Sequence, residues 1–183
     1  MSYSNPDIVL IDNPVGLDKV IQSIQTDLNN LAWLQKSFGR AWEMSDEGKT
    51  VPKVYAGDGE YMNVLPNDFL KSQSFIATKG EEIWTDYTKS SANNKERKLK
   101  IIFWFNIKEV IEGDHINTEK LKHEVEAVLK ICPYIKSIDS YVDEQAEDVF
   151  EGYDLSEGSQ YLMHPYSGMR FDITVGYREH TNC

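Results

Sequence analysis

The ten residues from Met169 to Arg178 alternate strictly between two classes of side chain. Met169, Phe171, Ile173, Val175 and Tyr177 stand against Arg170, Asp172, Thr174, Gly176 and Arg178. Side chains of a strand point alternately to opposite faces, so this pattern predicts a strand with one apolar face. Five such residues stabilise by about 1.5–3 kcal/mol each when fully buried. A strand of that kind needs a sheet to join, and a layer to cover its apolar face.

The rest of the chain supplies both. Leu17, Ile21, Ile24, Leu28, Leu31, Leu34, Phe38 and Trp42 recur at steps of three and four, which predicts a helix from about Val15 to Trp42. Asn13 and Pro14 would cap and open it, and Gly48 and Pro52 mark a break beyond it. "VYAGDGEYMNVL" reads as two short strands around Gly57-Asp58-Gly59. "SFIATKGEEIWTDY" reads as a hairpin turning at Lys79-Gly80. Residues 85–98 are polar and rich in Ser and Asn, and are expected to form a mobile loop. "LKIIFWFNI" follows as a buried strand: Leu99, Ile101, Phe103, Phe105 and Ile107 share one face, and Ile102 and Trp104 partly cover the other. "NTEKLKHEVEAVLKIC" is a second amphipathic helix, capped by Asn117 or Thr118 and ended by Pro133. The expected fold class is α+β, with a mostly antiparallel sheet and two main helices packed on one face. No period of 20–50 residues repeats and no Pro/Gly linker divides the chain, so residues 1–183 are expected to form a single domain that includes an N-terminal arm, 1–14.

Charge narrows the function. The formal net charge of −11 has the wrong sign for a phosphate grip and argues against nucleic-acid binding, while fitting either plain solubility or a surface past which DNA slides. The longest apolar run, "IIFWF", is far short of the ~20 residues of a membrane helix. The opening "MSYSNPDIVLIDNP" lacks a basic segment followed by an apolar one, so the protein is expected to stay where it is made. Cys132 and Cys183 make no disulfide framework and read as free thiols.

A search for chemistry returns no site. His123-Glu124 opens like a zinc-protease motif, but position 127 is Ala127. His115, His123, His164 and His180 have no ligand spacing and no CxxC exists, so no metal is expected. Gly57 and Gly59 match a phosphate loop at two positions only and read as a turn. Asp139, Asp143, Glu144, Glu147, Asp148, Glu151 and Asp154 are interrupted by Tyr141 and Val142, which breaks a calcium-loop register and leaves a solvated acidic edge. No GxSxG is present. Trp33, Trp42, Trp84 and Trp104 fit core packing or protein contact, since base stacking needs a cationic groove beside the rings. Lys95, Arg97, Lys98 and Lys100 are the one local basic run and read as a solvated loop and strand face. The expectation is therefore no catalytic, cofactor-binding or metal residue, and no enzyme.

The order of elements resembles bacteriophage tail-terminator proteins and related small neck and tail-completion proteins. The segments that carry the likeness are "RKLKIIFWFNI", "NTEKLKHEVEAVLK" and "HPYSGMRFDITVGYRE". A "PY"-like lead into an alternating last strand is common in that group. The likeness spans roughly residues 17–179 and is one of architecture, not of a diagnostic motif. It departs at residues 139–157, an acidic stretch longer than that layout has between helix and last strand. It implies a homohexameric ring that caps the tail tube and joins it to head-side connector proteins. Its partners would be copies of itself, the tube protein and the connector. DNA would pass through without specific binding, no membrane would be involved, and the protein would be assembled in the bacterial host cytoplasm into the virion. Residues 85–98 would order on assembly against a neighbouring subunit or ring. Alternatives are a head-completion stopper, a tail-tube subunit that stacks into long polymers, or a small cytosolic enzyme or ligand-binding α+β domain.

Overall fold

A computed structural model describes residues 8–65, 69–86, 92–111, 116–143, 145–155 and 162–180. The apolar stripe Val20, Ile21, Ile24 and Leu28 lies on the buried side of helix α1, Gly16–Leu28. The helix begins after Asn13-Pro14, with Val15 at its N-cap and no side-chain cap. It ends much earlier than the three-and-four spacing predicts. Asn29 and Asn30, poor helix formers, are followed by tight turns in which Leu31 N–H bonds to Leu28 and Leu34 N–H to Leu31. The chain then becomes strand β1, Lys36–Asp46. Leu31, Leu34 and Phe38 are buried as the pattern demands, but from turn and strand backbone. Trp42, predicted inside, is 41% exposed.

β1 turns at Glu47-Gly48 into β2, Lys49–Gly57, and β2 turns at Asp58-Gly59 into β3, Glu60–Asn63. Each turn holds two residues at positive φ (50° and 84°, then 52° and 82°), the geometry whose twist suits a two-residue hairpin. The Gly57-Asp58-Gly59 turn stands where the sequence placed it. The hairpin expected at Lys79-Gly80 does not exist. β4 runs unbroken in direction from Ser72 to Asp86, and Gly80, at φ 65°, sits in a bulge between Lys79 and Ile83. Its partner β5 is Ala92–Asn106, so residues 85–86 and 92–98 of the expected loop are strand. Residues 87–91 lie outside the described chain. Polar side chains misled because paired backbone, not apolar burial, satisfies this stretch.

Ile107–Val110 form a single turn, α2, so Ile107 leaves the strand face. α3 covers Thr118–Ile131, with Asn117 Oδ1 accepting from Lys120 N–H. β6, Ile135–Val142, the short α4, Ala146–Val149, and β7, Tyr166–His180, complete the chain. The fold is α+β. Its seven strands follow the order β3-β2-β1-β4-β5-β7-β6, and every neighbouring pair is antiparallel except β1 with β4.

The sheet buries both faces near its middle. Leu99, Ile101, Phe103 and Phe105 of β5 and Met169, Phe171, Ile173, Val175 and Tyr177 of β7 join Val20, Ile21, Ile24 and Leu28 of α1 and Leu121, Val125 and Leu129 of α3 in one cluster. Ile102 and Trp104, on the opposite face by alternation, join Phe38, Val54, Phe75, Val149, Phe150 and Tyr153 in a second. The closing strand therefore lies between β5 and β6, with all five of its apolar residues buried.

Candidate functional site

The polar face of the closing strand meets the acidic stretch, and the two form a charged latch. Val149 and Phe150 are fully buried and anchor residues 146–153 on the second cluster. Above them Lys100 Nζ donates to the Glu151 carbonyl at 2.9 Å and lies 3.3 Å from the Glu151 carboxylate. Arg170 Nη1 donates to the Asp148 carbonyl and stands 3.2 Å from Glu151 Oε2. Lys79 Nζ donates to Asp172 Oδ2 at 2.9 Å. Arg170 Nε approaches Asp172 Oδ1 at 2.9 Å, but the two are not aligned as a hydrogen bond and each lacks another partner. The pair's hydrogen bond is instead a long one, Arg170 Nη2 donating to Asp172 Oδ2 at 3.5 Å. Burial pushes the Glu151 carboxyl up, yet Lys100, then Lys79 and Arg170, outweigh it and hold the group below its ordinary range. Asp172 raises Lys79 through its hydrogen bond, against the opposing effect of burial. The acidic stretch is exposed at Asp139, Glu147, Asp148, Glu151 and Asp154, as expected of a solvated edge, but Glu151 is also an ion-pair partner, and Val149 and Phe150 between the carboxylates carry the segment inward.

A second feature follows from the divergence of β1 and β4. They pair from Lys36↔Gln73 to Arg40↔Ile76, after which β1 pairs only with β2 and β4 only with β5. The sheet therefore forks. A cleft of about 390 Å³ at the fork is lined by Arg40, Trp42, Glu43, Thr78, Gly80 and Arg97. Arg40 is fixed over the Trp42 ring at 3.8 Å and pairs with Asp18 at 3.0 Å. Arg97 Nε is buried without a hydrogen-bond partner. Beside the fork the N-terminal arm is tied to α1: Gln25 Nε2 donates to both Val9 and Ser37 carbonyls, and Ile11 N–H bonds to Gln22. This corner holds a cleft of about 90 Å³, below the ~300–1,000 Å³ of small-molecule sites.

Beyond the fork, β4, β5 and β7 continue as a three-stranded arm. Strands of 15 residues reach about 50 Å, further than the helices cover. On the arm Ile83 is 57% and Trp84 50% exposed, and Lys95 Nζ stands 4.6 Å over the Trp84 ring. Glu82 accepts from Tyr177 Oη and pairs with Lys95, locking the arm's three strands together.

The residues weighed for chemistry are scattered. His123 is exposed on α3. Asp139, on β6, accepts from Ser137 and Thr174 hydroxyls. Cys132 is a buried free thiol. His115 and Glu144 lie outside the described residues. Among the described residues no group of three or more His, Cys, Asp or Glu could hold a metal ion, and no helix is long and apolar enough to cross a membrane. The fork, set by a strand that changes partner, and the latch, set by residues drawn from positions 79 to 172, left no signal in any local motif. No protein-family model matches the sequence, and no curated protein matches it significantly.

Proposed function

We propose that this chain is a structural protein of a tailed bacteriophage, a tail terminator that closes into a ring on the end of the tail tube. The ring ends tube growth and offers a surface to the head-side connector. In this reading the protein works by contact with copies of itself and with other virion proteins, and it transforms no substrate. Its place is the neck of the virion, after assembly in the bacterial host cytoplasm.

One observation supports the reading most. The sheet runs out past its core into an arm that presents Ile83 and Trp84 to solvent. Large exposed apolar residues on an ion-paired arm mark a contact surface more than a solvated one. The likeness in element order to terminators supplies the kind of contact, and a net charge of −11 suits a lumen past which DNA slides. Electron microscopy of the purified protein, alone and with tail tubes, tests this. Six-fold rings one subunit thick, and tubes capped by them, are expected. Long stacked tubes from the protein alone would instead favour a tube subunit, and a lasting monomer would overturn the assembly reading.

A further inference from the structure

A ring built by repeating one contact needs two different surfaces on each subunit, facing away from each other. The sheet has such a pair. In its outer part the strand order is β4-β5-β7-β6, so β4 and β6 are the two rims. From Ala77 to Ile83, β4 has no strand on its β1 side among the described residues. β6 likewise pairs only with β7. The rims match in length, since β6 has eight residues and the open stretch of β4 has seven, from 77 to 83. Open strand rims carry rows of backbone donors and acceptors that bond readily to another strand.

Charge fits as well. The fork beside β4 is lined by Glu43, by Arg40, which pairs with Asp18, and by Arg97, whose buried Nε has no hydrogen-bond partner. β6 carries exposed Asp139 between exposed Ser137 and Ser140, while its one cation, Lys136, is taken up by Glu96. The small serine side chains let another backbone come close. Both rims are bulged, β4 between Lys79 and Ile83, and β6 at two places. Bulges break a rim into short pairing runs, which leaves a charge contact to set the register.

Building on the ring reading, we infer that the β6 rim of one copy enters the fork of the next, adding to the β4 edge and bringing Asp139 against Arg97. The sheet then continues from subunit to subunit around the ring.

Hydrogen exchange on the unaltered protein, below and above the concentration of assembly, tests this. The rim-facing amides within residues 77–83 and 135–142, those not already bonded to β5 or β7, are expected to slow by about ten-fold or more on assembly, because they gain partners. Arg97→Asp and Asp139→Arg, each still folded by circular dichroism, should each abolish the ring, and the double exchange should restore it. A ring whose rim amides exchange as fast as in dilute protein overturns this contact and leaves the ring reading standing. Single exchanges that assemble normally do the same. A protein that stays monomeric at every concentration overturns the ring reading and the contact together.

Discussion

Glu151 shows how one carboxylate is put to structural use. Its pKa is held low in the folded chain, so its ion pairs stabilise fully above the ordinary Glu range and are lost as pH falls through the depressed value. Lys79 has the opposite sign: its raised pKa gives stability that is complete below its ordinary value of 10.5 and fades as pH rises beyond. The latch is therefore expected to loosen first on the acid side. Protection factors of the amides of residues 146–153 should fall as pH drops below the ordinary Glu range while residues 99–105 stay protected, and Glu151→Gln should remove most of that pH dependence. Asp172→Ala leaves the buried Arg170 guanidinium with only the half-exposed Glu151 carboxylate, which it shares with Lys79 and Lys100. Loss of one partner from a buried charge group costs about 3–5 kcal/mol, which urea denaturation would read. Phe171→Ala, in the fully buried centre, should cost about the same by opening a cavity among Phe103, Tyr141 and its neighbours.

At the scale of elements, what the sequence made legible was what short-range periodicity records. β7 and α3 each carry a pattern of one period over ten or more residues, and each lies where the pattern put it, whereas β5 holds the predicted strand from Leu99 to Asn106 but begins seven residues earlier, at Ala92. α1 was overextended because Leu31, Leu34 and Phe38 are buried at helical spacing by a turn and a strand, and spacing alone does not distinguish these backbones. Lys79-Gly80 imitated a hairpin because a bulge and a turn both call for glycine at positive φ. The fork and the latch were illegible for a different reason: both arise from strand order, which joins Lys79, Lys100, Glu151 and Arg170 only after folding. The arm yields a prediction of its own. Ile83→Asp alters an exposed side chain and should change the unfolding free energy of the single subunit by less than about 0.5 kcal/mol. If Ile83 is a contact residue, the same variant should fail to assemble, which light scattering of wild type and variant side by side would show.

For the whole molecule, an acidic chain that carries apolar side chains on a projecting arm is poised between repulsion and contact. Each added copy brings a net charge of −11, so only a specific contact can hold several together. Closure also matters: a head-to-tail contact whose rotation does not close grows without limit, whereas one that closes stops at a fixed number. The mass of the assembled particle distinguishes these outcomes most directly. Sedimentation and native mass measurement across a range of protein concentrations should give one discrete species at six times 21.1 kDa. A single 21.1 kDa species at every concentration would contradict the account, as would a continuous ladder of growing polymers.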